Sequence, residues 1–172
     1  MDKVHLLVAN SERGLSNLIE SLVLDACYDQ AFVETTRIGR ADELVKLASS
    51  GAYHLVIVAA DNLLPGPGLH NAWVSADEAV RAIQAIRDRC HTPVIAVAVF
   101  PAEELPLLEA GVECVVRLPF DGEKLKSEVR RVLRMTQPVE QSKPSRSSLK
   151  ELVLHGFGTA LLQAIKRSGS VS

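Results

Sequence analysis

Short apolar runs alternate with amphipathic stretches along the first 135 residues of the chain. Runs of mostly Val, Leu, Ile and Ala predict five strands, at KVHLLVAN (3–10), AFVETTRIG (31–39), YHLVIVAA (53–60), TPVIAVAVF (92–100) and VECVVRLPF (112–120). In the segments that follow each run, apolar residues recur every three or four positions, which predicts helices over 14–26, 41–51, 75–89, 101–111 and 122–135. Strands that are apolar along their whole length are typical of a parallel sheet covered by helices on both faces.

Polar residues and proline mark where several of these elements begin and end. Ser75 and Glu78 form a capping-box pattern that predicts the start of the third helix, and Asp121 is placed to cap the last helix. Pro106 lies inside the fourth predicted helix, so we expect that helix to be bent or limited to its ends. The alternation as a whole predicts an α/β fold over residues 1–135, a doubly wound five-stranded parallel sheet of the flavodoxin-like order 2-1-3-4-5.

The C-terminal part of the chain does not continue the alternation. Residues 136–147 are polar and contain several Pro and Ser residues, which predicts a linker. Residues 148–172 predict an amphipathic C-terminal helix and tail. Its apolar stripe includes Leu152, Phe157, Leu161 and Ile165. Such a stripe needs apolar surface to cover it, so we expect the helix to fold back on the body, pair with a second copy or bind in a partner's groove.

The composition is that of a globular protein with a mostly aliphatic core. The chain has 172 residues, of which 47% are hydrophobic and 23% charged. The three cysteines are scattered, which is typical of a reducing cytoplasm. The five histidines lack the spacing of metal ligands, and we expect neither a metal nor a cofactor. We also expect no targeting segment and no membrane span, because the N-terminal apolar run is too short.

The charges are distributed unevenly. Residues 1–123 hold 9 Lys or Arg against 18 Asp or Glu, whereas residues 124–172 hold 10 against 3. An acidic body with a basic end is a hint about binding partners. Residues after 136 are too few for a helix-turn-helix domain, and aromatic residues are scarce for stacking on single strands, so we do not expect nucleic-acid binding.

Sequence signatures of common enzymes are absent from the chain. No G-x-G-x-x-G follows the first strand, no G-x-x-x-x-G-K-[ST] occurs, and no G-x-S-x-G elbow is found. The sequence therefore predicts no catalytic residue and a protein that is not an enzyme. A small-ligand-binding or enzymatic domain of the same fold, using the crevice at the carboxyl ends of the strands, stays an alternative.

Three segments give the chain a resemblance to the receiver domains of bacterial response regulators. They are HLVIVAADNLLPG (54–66), TPVIAVAV (92–99) and EAGVECVVRLPF (109–120), and the resemblance covers residues 3–135. It implies a domain that accepts a phosphoryl group from a histidine kinase on an aspartate at the end of the third strand. It also implies two acidic residues after the first strand for Mg²⁺, a Ser or Thr after the fourth and a Lys after the fifth.

The pocket positions implied by this resemblance carry other residue types here. The acidic pair falls on Ala9 and Asn10, the hydroxyl position on Ala98 and the lysine position on Leu118. Arg117 precedes Leu118, but successive residues of a strand face opposite sides of the sheet, so Arg117 is a poor substitute. The resemblance therefore predicts a degenerate receiver, or pseudo-receiver, that does not carry out phosphoryl transfer.

The position of the phospho-acceptor is ambiguous in the sequence. Counting back from Pro65 places it at Asp61, whereas counting forward from HLVIV places it at Ala59. We interpret Asp61 as a residue that begins a loop or caps a helix, and unconventional phosphorylation at Asp61 stays an alternative. The long connection that follows, residues 61–75, contains the single tryptophan, Trp73, as either a loop anchor or an exposed contact. We expect a signalling adaptor that binds a protein partner or forms a homodimer through this loop or the C-terminal helix.

Overall fold

The computed structural model describes residues 2–66, 76–119 and 122–135. Five strands alternate along the chain with α-helices. The strands are β1 (Asp2–Ala9), β2 (Ala31–Ile38), β3 (Leu55–Ala59), β4 (Val94–Ala98) and β5 (Cys114–Arg117). The helices of the described part are α1 (Arg13–Cys27), α2 (Ala41–Ala48), α3 (Ala76–Arg87), α4 (Glu104–Glu109) and α5 (Gly122–Val132). Two short 3₁₀ turns, Ala60–Asn62 and Pro101–Glu103, follow β3 and precede α4.

All five strands are parallel and lie in the order β2-β1-β3-β4-β5. The predicted doubly wound sheet and its strand order are therefore confirmed. Two of the three inner strands, β3 and β4, are buried at every position. Helices cover both faces of a parallel sheet, so side chains on both sides of these strands are buried. This burial explains their near-continuous sequence of Val, Ile, Leu and Ala.

Two hydrophobic clusters fill the spaces on either side of the sheet. One contains buried residues of α2, α3 and α4, with Leu44, Ile83 and Leu107 fully buried. The other contains residues of α1 and α5, with Ile19 and Leu125 fully buried. Burying a side chain of this size stabilises the fold by roughly 1.5–3 kcal/mol. The apolar stripes read from the helical periodicity are therefore what fixes the helices to the sheet.

The ends of several elements differ from the predicted ones. The third and fourth strands are shorter than the apolar runs, and Val99 and Phe100 are exposed rather than part of β4. Pro106 is the third residue of α4, where an N–H has no acceptor within the helix, so the helix is short without being broken. Ser75, Asp121 and residues 136–172, with the predicted caps, linker and C-terminal helix, lie outside the described residues. No helix in the part of the chain that the structure describes is long and apolar enough to cross a membrane.

Candidate functional site

Alanines occupy the carboxyl ends of the three central strands. Ala9 is the last residue of β1, Ala59 of β3 and Ala98 of β4, and all three are buried. The strand register brings these ends to one edge of the sheet, because Ala9 pairs with Val58 and Ala59 pairs with Val97. At the edge where ligands bind in open α/β sheets, each of these strands thus ends in a residue whose side chain has no donor or acceptor.

The side chain of Asn10, directly after β1, is buried and bonded within its own loop. Its Nδ2 donates to the Glu12 carbonyl oxygen at 2.7 Å and to Ser16 Oγ at 3.1 Å. Its Oδ1 accepts from the Glu12 backbone N–H at 3.0 Å. Asn10 therefore shapes the turn that leads into α1, and its amide is already engaged on both its donor and its acceptor side.

Glu12 has a carboxylate in the same loop, and it caps α1. Its two carboxylate oxygens accept from the backbone N–H groups of Gly14 at 2.9 Å and Leu15 at 2.8 Å. A carboxylate at a helix N-terminus satisfies N–H groups that have no partner in the helix and is favoured there by the helix dipole. Sequence reasoning did not foresee this cap, although an acidic residue before the helical periodicity is the usual signal for one.

Leu118 and Arg117 lie at the end of β5, and the charged one of the two, Arg117, is paired with an acidic residue of α4. Leu118 is half-buried against the cluster on the α1 and α5 side, and its N–H donates to the Ala98 carbonyl oxygen at 2.8 Å. Arg117 is exposed, and its Nε lies 3.7 Å from Glu104 Oε2 of α4. The nearest cation on this strand is therefore paired on the surface of α4.

Asp61 lies two residues beyond the end of β3, in the 3₁₀ turn Ala60–Asn62. Its Oδ2 accepts from the backbone N–H of Val99, just after β4, at 2.9 Å. Ala59, the other candidate for the acceptor position, is the last strand residue and has only a methyl group. The Asp61 carboxylate thus links the loop after β3 to the loop after β4, a tertiary connection that a local loop-start or cap interpretation did not anticipate.

Glu103 lies beside Asp61 and was missed by the sequence analysis. Its Oε2 accepts from the Phe100 backbone N–H at 3.3 Å, next to the Val99 N–H that donates to Asp61, so the two carboxyls are neighbours. Burial, followed by the Asp61 hydrogen bond, raises the pKa of Glu103 to about 7 from an ordinary value of 4.5. The sequence signal that could have revealed part of this is the Glu three residues after Phe100, the spacing of a capping box.

Five of the predicted site residues belong to the 61–75 loop and the predicted C-terminal helix. Trp73, Leu152, Phe157, Leu161 and Ile165 all lie outside the described residues. The interaction surfaces predicted at the 61–75 loop and the C-terminal helix therefore keep the status of predictions.

The chain has the fold of solved receiver domains. The receiver domain of a Francisella response regulator is 16% identical, with a TM-score of 0.58 over 76% of this chain and 97% of its own. The receiver domain of a sensor histidine kinase from Pseudomonas aeruginosa PAO1, solved with a magnesium ion in its active site cleft, is 17% identical. Its TM-score is 0.58 over 77% of this chain and 98% of its own.

A third similar structure is not described as a receiver domain. It is a pilus assembly-related protein from Burkholderia pseudomallei K96243, 22% identical, with a TM-score of 0.56 over 78% of this chain and 92% of its own. No protein-family model matches the sequence, and no curated protein matches it. The likeness to these structures establishes the receiver fold that the sequence predicted.

Proposed function

We propose that the protein is a phosphorylation-independent signalling adaptor of the receiver type, which acts by binding other proteins and is not an enzyme. The observation that carries the proposal is the chemistry of the strand ends. Ala9, Ala59 and Ala98 present methyl groups, and Leu118 presents an isobutyl group. The receiver fold is retained around an edge that has lost the groups needed for phosphoryl transfer.

The loss of oxygen ligands argues against a magnesium site. Mg²⁺ binds through oxygen atoms in near-octahedral geometry and is held in proteins by one or two carboxylates. Asn10 is bonded on both sides of its amide, and Glu12 has both carboxylate oxygens on backbone N–H groups. Recruiting either residue as a ligand would leave α1 without its cap or the first loop without its internal bonds.

The loss of cations and hydroxyls argues against phosphoryl transfer. The transferred group carries charge on its oxygen atoms, and catalysis consists largely of stabilising that charge. Here Ala98 and Leu118 offer no donor side chain, and Arg117 is paired with Glu104. Asp61 already accepts from Val99, and Glu103 accepts from the next N–H, so a second acidic group beside Asp61 would repel a negatively charged phosphoryl donor.

Exposed apolar side chains favour a role in protein binding. Four of them lie close together in sequence on the segment that contains α4. They are Val99, Phe100, Leu105 and Leu108, with 40%, 60%, 63% and 43% of their surface exposed. Apolar groups concentrated on one exposed segment are typical of contact surfaces. The predicted C-terminal helix and Trp73 are further candidates for contacts with a partner or a second copy.

Small phosphodonors provide the direct test. The full chain is incubated with Mg²⁺ and acetyl phosphate, and the intact mass is measured beside that of Asp61→Asn. We expect no adduct in either protein. A stoichiometric phosphoryl adduct that disappears in Asp61→Asn would contradict the proposal and establish the alternative, an unconventional receiver phosphorylated at Asp61.

A further inference from the structure

We infer that a proton shared by the Asp61 and Glu103 carboxyls joins the turn after β3 to the segment between β4 and α4, so that pH controls this segment. The connection, called here the carboxyl latch, consists of Asp61, Glu103 and the backbone N–H groups of Val99 and Phe100. Its geometry does not depend on the proposed function. Only its use as an input to a signalling adaptor rests on that proposal.

Two consecutive backbone N–H groups hold the carboxyls side by side. Val99 donates to Asp61 Oδ2 at 2.9 Å, and Phe100 donates to Glu103 Oε2 at 3.3 Å. The two acidic residues come from separate 3₁₀ turns, Ala60–Asn62 and Pro101–Glu103. Two carboxyls held on neighbouring N–H groups can bond to each other only when they share one proton, because a carboxylate has no donor.

The described elements around the latch supply no cation to the two carboxyls, so only a proton can neutralise one of them. Asp61 is the one charged group that acts on Glu103 among the described residues, and its effect is repulsive. Glu104, the next residue, is paired with Arg117 of β5. On the side of β1, Glu12 has both oxygens on the α1 cap, and Arg13 is exposed.

Helix α3 also contacts the turn that contains Asp61. Its first turn has Asp77, which is exposed, and Glu78, which is paired with Arg81 through Arg81 Nη2 and Glu78 Oε1 at 3.3 Å. The nearest charges on this helix are therefore acidic or already paired. With no cation supplied by the elements described around the latch, two ionised carboxylates there would repel each other.

The pKa of Glu103 makes the latch sensitive to pH in the neutral range. Burial and the contact with Asp61 raise the pKa of Glu103 to about 7. Below that pH the proton is held and the two loops are joined. Above it the pair carries two negative charges, and the partly exposed Glu103 is free to turn outward and release the Phe100 N–H. The exposed Val99 and Phe100 side chains lie on the segment that is released.

A titration of the backbone amides tests the latch. The ¹H–¹⁵N resonances of Val99 and Phe100 are followed in the full chain from about pH 5 to about pH 9. We expect both to shift with one midpoint near 7. In Glu103→Gln the side-chain amide can donate to Asp61 at every pH, so the shift should disappear. Glu109→Gln, which removes an exposed carboxylate from the end of α4, the helix that follows Glu103, should leave the midpoint unchanged.

Two outcomes would overturn the latch: resonances of Val99 and Phe100 that do not titrate in this range, or the same midpoint in wild type and Glu103→Gln. The wild-type titration is informative even if Glu103→Gln fails to fold. The phosphodonor experiment is separate. An adduct on Asp61 would overturn the adaptor proposal and leave the titration intact, whereas a flat titration would overturn the latch alone.

Discussion

Asn10 and Ser16 form a buried polar pair, with Asn10 Nδ2 donating to Ser16 Oγ at 3.1 Å. Only 5% of Asn10 and 3% of Ser16 is exposed. Ser16 Oγ in turn donates to the Glu12 carbonyl oxygen at 3.0 Å, which closes a small network at the start of α1. A position that the receiver resemblance assigns to a metal ligand therefore contributes to the stability of the fold.

The Asn10 network predicts that restoring an acidic residue does not restore a magnesium site. In Asn10→Asp the carboxylate cannot donate to Ser16 or to the Glu12 carbonyl, and it adds a buried charge. We expect unfolding free energy to fall by about 1–3 kcal/mol. We also expect no rise in melting temperature when MgCl₂ is added. Thermal and urea unfolding with and without Mg²⁺ measure both.

Ser11→Asp is the matched control for Asn10→Asp. It places the same charge in the same loop, at an exposed residue, without removing a buried hydrogen bond. We expect its stability to remain within about 0.5 kcal/mol of wild type. An Asn10→Asp protein as stable as this control, and stabilised by Mg²⁺, would show that the position faces an open metal site.

The raised pKa of Glu103 predicts that stability falls with pH through the neutral range. The folded chain holds the Glu103 proton up to about pH 7, whereas an ordinary glutamate releases it near 4.5. The contribution is therefore fully present below about pH 4.5 and is lost as pH rises through about 7. Because Glu103 is partly exposed, solvent screening reduces this contribution, and the prediction is the direction in which stability changes with pH.

Urea unfolding at several pH values checks this sign. The decline between about pH 5 and about pH 8 should be smaller in Glu103→Gln than in wild type. Glu109→Gln should decline as wild type does. A wild-type stability that rises over this interval by the same amount in all three proteins would contradict the assignment.

The sheet could be predicted from the sequence because each buried strand is a run of consecutive apolar residues. Each apolar run is long enough to be read by itself, and parallel strands follow from their alternation with helices. The strand ends were less predictable. The fourth apolar run continues to Phe100, but the ladder to β5 ends at the pair Ala98 and Arg117, so Val99 and Phe100 remain outside the sheet.

The candidate site was only partly predictable, because its contacts join distant parts of the chain. The alanines at the strand ends could be found by counting residues within segments. The contact between Asp61 and Glu103 could not, since their approach depends on how two turns meet. The same is true of His5 in β1 and His54, the residue before β3, whose rings stack with centroids 5.6 Å apart. Helical and strand periodicity contains no information on such pairs.

The free cysteines provide a test of burial in the described part of the fold. Burial raises the pKa of the Cys27 thiol, and burial followed by the charge of Glu128 raises the pKa of Cys114 to about 12. Cys90 is half-buried, with its Sγ 3.5 Å from the Ala48 carbonyl oxygen. Because the thiolate is the reactive form, we expect an alkylating reagent at about pH 8 to label Cys90 before the other two.

Mass spectrometry of peptides from the alkylated protein identifies the labelled cysteine. In denaturant, all three cysteines should be alkylated at similar rates, and this measurement serves as the control. Labelling of Cys27 or Cys114 ahead of Cys90 in native protein would mean that α1 or β5 opens more readily than the packing of the two clusters implies.

The sequence of residues 148–167 predicts an association element, the last prediction. The stripe of Leu152, Phe157, Leu161 and Ile165 gains roughly 1.5–3 kcal/mol per buried side chain, whereas ordering the backbone costs about 1–2 kcal/mol per residue. Such a helix needs apolar surface from a partner, a second copy or the body. We expect Leu152→Asp with Leu161→Asp to abolish a homodimer or partner complex, measured by light scattering and partner capture. His155→Asp, on the side of the predicted helix opposite the stripe, should leave it intact, and equal mass and capture in all proteins would contradict the prediction.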